Sequence, residues 1–262
     1  SVYITRRFSW AVYPLSRLLS FAPSLGMPAA PSSSGASPPA SLPWVEKYRP
    51  RTVDDISHQD EVTDSLRKTI ENKQLPHLIF YGPPGTGKTS TILAAARQIF
   101  GSEYRNRVME LNASDERGIG IVRNKIKAFA QVAVTSQGTH GAPPYKLIVL
   151  DEADSMTADA QSALRRTMET YSRVTRFCII CNYISRLIPP ISSRCAKFRF
   201  KPVPHDAMID KLQYIARSEG ISMDDDTFGE LIRLSEGDMR RAIGMLQSLH
   251  TLYADEMTPQ AT

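Results

Sequence analysis

The sequence is poor in cysteine and has no long hydrophobic run. Its three cysteines, Cys178, Cys181 and Cys195, are odd in number and lack the spacing of a disulfide framework, which indicates a reducing compartment. The apolar runs are far shorter than the ~20 residues that a membrane-spanning helix requires, so we expect no contact with a membrane. The five histidines are scattered, and this spacing argues against the usual zinc motifs.

Cys178 and Cys181 form a C-x-x-C pattern inside the apolar run 177–181. This pattern occurs in metal and redox sites, but the run has the length and composition of a buried strand. Residues three apart on a strand point to opposite faces of the sheet. We therefore predict that both thiols are core residues.

Positive charge is less abundant than the net charge suggests. Lysine and arginine exceed aspartate and glutamate by five over the whole chain, but Arg6, Arg7 and Arg17 lie in an acid-free stretch at 1–26. The rest of the chain is nearly balanced. Any contact with nucleic acid must therefore come from a local basic cluster.

Residues 1–42 are predicted to be a disordered N-terminal extension. Residues 1–26 contain arginine and serine but no acid, which is typical of a mitochondrial transit peptide. The alternative, which we favour, is that the chain starts at Met27. Residues 28–43 are rich in proline, serine and alanine and show no hydrophobic period.

Residues 82–89 match the phosphate-binding pattern Gly-x-x-x-x-Gly-Lys-Ser/Thr. The glycines allow successive backbone N–H groups to point at one anion. Lys88 brings a positive charge to the terminal phosphates, and the Thr89 hydroxyl can hold Mg²⁺. An apolar strand precedes the loop and a helix follows it, so the phosphates would lie at a helix N-terminus. The predicted nucleoside triphosphate site comprises Gly82, Pro83, Pro84, Gly85, Thr86, Gly87, Lys88, Thr89 and Ser90.

Strand and helix patterns alternate as far as residue 201. Helical patterns separate five short apolar runs, which predicts an α/β fold with a five-stranded parallel sheet covered on both faces. After Lys-Pro-Val-Pro at 201–204 the pattern is helical only. We therefore predict an α/β nucleotide-binding domain at 43–201 and a small helical domain at 202–262. The predicted strands are 78–81, 108–111, 146–150, 177–181 and 196–200.

Two acids follow the predicted strand 146–150. In a parallel sheet this end lies beside the phosphate loop. Asp151 can then hold Mg²⁺, and Glu152 can act as a general base toward an attacking water. The letters Asp-Glu-Ala-Asp at 151–154 also occur in a class of helicases, but the Ser-Ala-Thr motif of that class is absent after Asp154.

Asn182 and Arg194 each allow two interpretations. Asn182 follows the run 177–181, where an amide can orient the attacking water, although asparagine also forms turns. Arg194 precedes the last predicted strand. It is either an exposed surface residue or an arginine finger that reaches the nucleotide of a neighbouring subunit. Composition does not decide between these alternatives.

Several motifs together resemble those of one family, the small subunits of AAA+ clamp loaders of the replication factor C type. The resemblance covers about residues 42–247 and implies an AAA+ domain at 43–201, a helical lid at 202–262, and hydrolysis of ATP with Mg²⁺. The motifs are PWVEKYRP at 43–50, GPPGTGKTS at 82–90, LNASDERGI at 111–119, LDEADSMT at 150–157, ALRRTME at 163–169, SSRC at 192–195 and GDMRRA at 237–242.

The resemblance also implies roles for single residues. Val45 and Arg49 would line the adenine side of the site, and Asp151 and Glu152 would be the Walker B pair. The remaining roles are Lys88 and Thr89 for phosphate and Mg²⁺, Asn182 as sensor 1, Arg194 as the finger donated to the adjacent subunit, and Arg240 as the sensor 2 residue of the lid.

The resemblance further implies a nuclear hetero-pentamer with other replication factor C subunits. Such a complex opens a sliding clamp and loads it onto primer–template DNA during DNA replication and repair. The helix after the second strand would face the DNA backbone. It offers Arg123, Lys125 and Lys127, with Arg117 nearby. Without the resemblance, a solvated basic face is the simpler interpretation.

Two other functions are compatible with a phosphate loop of this kind. A nucleotide-binding scaffold would donate Arg194 without hydrolysing ATP, but the intact Asp151–Glu152 pair argues against it. A different AAA+ remodelling ring would need an aromatic pore loop, and the stretch 114–120 has no aromatic residue. The family also carries a C-terminal helical collar. This chain ends at Thr262, just past the predicted lid, so the collar is expected to be absent.

Overall fold

The computed structural model describes residues 42–56, 58–72, 74–114, 119–132 and 143–253, with the backbone alone at 119–123 and 253. The predicted extension at 1–42 lies outside these residues except for Leu42. Arg117 also lies outside them, and the side chain of Arg123 is not described.

Five parallel strands form one sheet in the order β2-β3-β4-β1-β5. Each step between consecutive strands passes through a helix, as a parallel sheet requires. The predicted α/β class is therefore confirmed. The strands are β1 (Leu78–Tyr81), β2 (Val108–Asn112), β3 (Lys146–Asp151), β4 (Thr175–Cys181) and β5 (Ala196–Arg199).

Ten helices accompany these strands in the described part of the chain. Three of them are single turns of four residues, too short to show a hydrophobic period, and the sequence patterns missed all three. The helices are α1 (Trp44–Lys47), α2 (Asp60–Asn72), α3 (Lys88–Phe100), α4 (Tyr104–Arg107), α5 (Ile119–Gln131), α6 (Ala158–Thr170), α7 (Pro189–Ser192), α8 (His205–Ser218), α9 (Asp225–Ser235) and α10 (Met239–Tyr253).

Strand ends differ from the prediction where pairing decides them. β4 begins at Thr175 rather than 177 because Thr175 and Arg176 pair with Lys146 and Leu147 of β3. β2 and β3 each extend by one polar residue, since Asn112 and Asp151 are still paired across the ladder. Polar residues at these positions reach the carboxyl edge of the sheet, where parallel α/β folds bind ligands.

The sheet separates two hydrophobic clusters. Cys178 packs on one face with Phe80 and Ile92, and Cys181 packs on the other with Ile79 and Leu164. Both thiols are buried and free, which agrees with the predicted opposite orientation. Burial raises the pKa of Cys181 to about 12, so this thiol stays protonated and has little nucleophilic reactivity at neutral pH.

The last three helices form a separate cluster. Leu212 of α8, Leu231 of α9 and Leu246 of α10 are buried against one another. Trp44, from the start of the described chain, is buried in the same cluster. The side chain of Asp224 accepts a hydrogen bond from Thr227 N at 3.1 Å, which caps α9 as its acidic start predicts.

No helix in the described ranges is both long and apolar enough to cross a membrane.

Candidate nucleotide-binding site

The phosphate loop follows β1 and leads directly into α3. Gly82 and Gly85 have φ of 146° and 70°, a region that a side chain disfavours. Crowding adds a second reason for glycine at each. A Cβ on Gly82 would lie 2.3 Å from the Phe200 carbonyl oxygen, and one on Gly85 would lie 2.1 Å from Asp238 Oδ1.

Lys88 is the first residue of α3 and is buried. Its Nζ donates hydrogen bonds to the carbonyl oxygens of Gly82 and Pro83 at 2.8 and 2.7 Å, and to Asn182 Oδ1 at 3.0 Å. Burial lowers the pKa of Lys88, an effect opposed by the charge of Asp151. A buried ammonium that is coordinated by neutral groups alone has a strong preference for an anion beside it.

Thr89 and Asp151 join α3 to the end of β3. The Thr89 hydroxyl donates to Asp151 Oδ2 at 2.6 Å, and the other carboxylate oxygen accepts from Glu152 N at 2.8 Å. Glu152 itself has φ of 53°, and a non-glycine residue in this region stores strain of the kind found at functional sites.

The polar side chains line a cavity of about 120 Å³ above the loop. It lies at the carboxyl edge of the sheet, where β1, β3 and β4 end. The residues predicted to bind phosphate, hold the metal or orient the water all line this cavity, except Gly82 and Pro83. The lining residues are Pro84, Gly85, Thr86, Gly87, Lys88, Thr89, Ser90, Asp151, Glu152, Cys181, Asn182 and Arg240.

In the described part of the chain, no group of three or more His, Cys, Asp or Glu side chains could hold a metal by itself. Thr89 and Asp151 supply one hydroxyl and one carboxylate. This donor set suits Mg²⁺, which binds through few protein oxygens and completes its shell with water and phosphate.

A second cavity of about 140 Å³ shares residues of the loop with the first, and its lining is mostly apolar. Val45 and Arg49, which are predicted to line the adenine side of the site, line this cavity. Tyr48, Lys211 and Ile243 line it too, and sequence reasoning missed them. They lie on separate segments with no shared motif, so only the tertiary fold brings them together.

Asp238 caps α10 and lies close to the phosphate loop. Its Oδ1 accepts hydrogen bonds from the backbone N–H groups of Arg240 and Arg241 at 2.8 and 3.2 Å, which caps the helix. The same oxygen lies against Gly85. Arg240 lines both cavities, so the predicted lid residue lies beside both parts of the site.

Arg194 lies at the opposite end of the strands, where β1 and β5 begin. β5 begins beside the start of β1, because Ala196 N donates to the His77 carbonyl at 2.8 Å. The phosphate loop follows the other end of β1, about 13 Å away for a strand of this length. Arg194 instead forms an ion pair with Glu169 at 2.7 Å and donates to the Pro190 carbonyl at 2.5 Å. It therefore does not reach the cavity of its own chain.

The predicted DNA-facing residues lie on or near α5. The side chains of Lys125 and Lys127 are exposed. Arg123 is on the same helix without a described side chain, and Arg117 is outside the described residues.

Sequence comparisons place the chain among known families. A family described as "ATPase family associated with various cellular activities (AAA)" matches residues 78–203. One described as "RCF1/5-like, AAA+ ATPase lid domain" matches residues 210–251. A protein of Oryza sativa subsp. japonica named replication factor C subunit 2 is 58% identical over 223 residues, which are 84% of this chain and 66% of that protein. The chain belongs to the replication factor C small-subunit family.

Other relatives are named subunit 2 or subunit 4. Replication factor C subunit 4 of Homo sapiens is 56% identical over 85% of this chain and 62% of its own length. Subunit 2 of Saccharomyces cerevisiae (strain ATCC 204508 / S288c) is 55% identical over 80% of this chain and 61% of its own length. The segments STILAAAR, ICNY and CAKFRFKP favour this same subunit, numbered 2 in fungi and 4 in animals. The chain spans between 61% and 66% of the length of these three relatives.

Solved structures of RuvB from Thermotoga maritima share the fold. A RuvB mutant matches with a TM-score of 0.64 and 15% identity over 81% of this chain and 68% of its own. The Holliday junction branch migration motor matches with a TM-score of 0.61 and 16% identity over 80% and 67%. Identity this low supports the AAA+ fold and no more.

Proposed function

We propose that the chain is an ATP-binding and ATP-hydrolysing subunit of a nuclear clamp loader. The complex would open a sliding clamp and load it onto primer–template DNA during replication and repair. One observation carries the proposal. In a member of the replication factor C family, Lys88–Asn182 and Thr89–Asp151 contacts hold the phosphate loop against the ends of β3 and β4.

Binding would use both adjoining cavities. The triphosphate would lie along the backbone N–H groups of the loop at 82–90 and the N-terminus of α3, where the helix dipole favours an anion. Lys88 would exchange the carbonyl oxygens of Gly82 and Pro83 for phosphate oxygens, which form stronger, charge-assisted hydrogen bonds. Adenine would occupy the apolar cavity beside Val45 and Arg49, and Arg240 would contact the nucleotide from the lid.

Thr89 and Asp151 would hold Mg²⁺. The ion would neutralise charge that develops on the β- and γ-phosphates. The Thr89–Asp151 hydrogen bond already brings the two donor oxygens within 2.6 Å of each other, so little rearrangement of these side chains is needed.

Glu152 and Asn182 would act on the attacking water. Glu152 would accept the proton of the water as its oxygen attacks the γ-phosphorus, and the bond to the β–γ bridging oxygen breaks to release ADP and phosphate. Asn182 would orient the water through its amide, while Lys88 keeps that side chain in place.

Arg194 would complete the site of an adjacent subunit. Its position at the opposite end of the strands supports action in trans, in a hetero-pentamer with other replication factor C subunits. A finger of this kind stabilises the charge of the transition state. DNA would be held through its backbone by Lys125 and Lys127, with Arg117 and Arg123 as further candidates, so binding would follow shape rather than sequence.

The test is ATP hydrolysis by the complex assembled from the full-length protein and the other subunits, with and without clamp and primer–template DNA. Glu152→Gln should lower the contribution of this subunit by about a hundredfold or more, the usual effect of losing a general base. Arg194→Ala should lower total hydrolysis while ATP binding to the variant chain itself is unchanged.

Glu61→Gln is the matched control. Glu61 is an exposed glutamate that pairs with Lys201 on the surface, at 3.1 Å, and its substitution should leave hydrolysis unchanged. If clamp and DNA do not stimulate hydrolysis, the loader proposal is wrong. If stimulation survives Glu152→Gln at full strength, the chain is a nucleotide-binding scaffold that donates Arg194.

A further inference from the structure

The segment 44–49 forms a strap that packs on the lid helices. Trp44 is buried among them. Its backbone N donates to Gln247 Oε1 at 3.0 Å, and its ring lies 5.3 Å from the ring of His250. Although the strap precedes every strand of the sheet in sequence, its beginning is anchored to α10.

Glu219 anchors the strap a second time. One carboxylate oxygen accepts hydrogen bonds from Lys47 Nζ at 2.6 Å and from the Tyr48 hydroxyl at 2.5 Å. The residue follows α8 directly, and its backbone N donates to the carbonyl of Ile215 at 3.0 Å. Because the Glu219 side chain is only 15% exposed, its position is fixed by the lid.

The charges at this anchor agree with the geometry. Burial raises the pKa of Glu219, but hydrogen bonds from Lys47 and Tyr48 outweigh it and hold the pKa below its usual range. Glu219 is therefore ionised at neutral pH, and the hydrogen bond that it accepts from Tyr48 is charge-assisted. The rings of Tyr214 and Tyr48 pack perpendicular to each other, with their centroids 6.1 Å apart.

The anchored strap is also a wall of the apolar cavity. Val45, Tyr48 and Arg49 line that cavity. Four residues later, Val53 is buried in the core of the α/β domain. The strap therefore bridges the two domains beside the place where the base would lie, and Glu219 holds it without lining the cavity.

We propose that Glu219 is a positioning residue for the nucleotide base. It would fix Lys47 and Tyr48, and through them the wall formed by Val45 and Arg49, without touching the nucleotide itself. The inference rests on the proposed function, because it requires a nucleotide base in this cavity.

The effect should depend on the base. Removing a hydrogen-bond partner from a charged pair changes an equilibrium constant by about tenfold or more. Glu219→Ala should therefore weaken ATP binding by about tenfold. Inorganic tripolyphosphate would contact the phosphate loop but has no base. Its affinity for Glu219→Ala should therefore stay within about twofold of its affinity for the parent chain.

The experiment is calorimetric titration of the chain with Mg–ATP and, separately, with Mg–tripolyphosphate. The variants are Glu219→Ala, Glu219→Gln and Tyr48→Phe. Tyr48→Phe removes only one hydroxyl, so it provides a folded variant for the test even if Glu219→Ala does not fold. In a double-mutant cycle, the effects of Tyr48→Phe and Glu219→Gln on ATP affinity should be non-additive, since the two side chains share one hydrogen bond.

Glu230→Gln is the control on the lid. Glu230 also pairs with a basic side chain, Arg233, but lines neither cavity. It should bind both ligands as the parent does.

The outcomes separate the two proposals. If the parent chain binds neither ligand, the proposed nucleotide site is wrong. If the parent binds ATP and the Glu219 and Tyr48 variants bind it equally well, the positioning role is wrong. Equal weakening of ATP and tripolyphosphate would also overturn it, because a general loss of lid structure does not distinguish the base.

Discussion

Replacing Gly85 with alanine should disturb the lid as well as the phosphate loop. Gly85 has φ of 70°. A Cβ at this position would lie 2.1 Å from Asp238 Oδ1 and 2.5 Å from its Cγ. Since Asp238 caps α10, the carboxylate would have to leave the backbone N–H groups that it now satisfies.

The size of the effect follows from two separate contributions. The left-handed backbone conformation costs a residue with a Cβ about 1–2 kcal/mol, partly offset by about 0.4–1 kcal/mol from the stiffer unfolded chain. Loss of the helix cap adds about 1 kcal/mol. We expect Gly85→Ala to lower the free energy of unfolding by about 2 kcal/mol, and Tm by about 4–8 °C for a domain pair of this size.

Gly87→Ala is the matched control. Gly87 has φ of 87°, but a Cβ there meets no atom within 4 Å, so only the backbone contribution of about 1 kcal/mol should remain. Thermal and urea unfolding without nucleotide would measure both variants. In the double variant Gly85→Ala with Asp238→Ala, the cap is lost once rather than twice, so the summed single effects should exceed the double by about 1 kcal/mol. The prediction is wrong if Gly85→Ala and Gly87→Ala are equally stable. It is also wrong if the effects of Gly85→Ala and Asp238→Ala on the free energy of unfolding are additive in the double variant.

Two further predictions concern pH and salt. Burial, assisted by Arg176, lowers the pKa of His77 to about 4. The unfolded chain then binds more protons than the native protein between pH 6.5 and 4, and stability should fall by about 1–2 kcal/mol as pH drops through that window, after a discount for partial exposure. In urea melts His77→Gln should flatten this dependence; an unchanged slope would contradict the assignment. Lys127→Ala should weaken DNA binding by the assembled complex and reduce the salt slope of log K by about one. The exposed Lys68→Ala on α2 should change neither quantity, and an equal effect of both variants would argue against α5 as the DNA-facing helix.

The phosphate loop and the sheet could be predicted because their signals are local. Glycine, lysine and threonine at 82–89 have the fixed spacing of the phosphate-loop motif. The strands are short apolar runs, and the long helices between them show a helical hydrophobic period. The positions of Asp151, Glu152 and Asn182 beside the phosphate loop could also be predicted from sequence. Each residue lies at the end of an apolar strand, and the carboxyl ends of parallel strands meet at the same edge of the sheet. The single-turn helices α1, α4 and α7 gave no such signal, since four residues cannot show a helical repeat.

What the sequence by itself determined was the class of fold, the position of the phosphate-loop motif between a strand and a helix, and the family. Only the tertiary structure decided how the apolar cavity is built and which distant elements contact one another. Trp44 and Tyr48 lie near the start of the described residues, yet they pack on helices about 170 to 200 residues later. Asp238 meets Gly85 across a similar gap. Contacts of this range depend on how whole elements dock, through burial that is not directional, and no local pattern encodes which partner a buried side chain will meet.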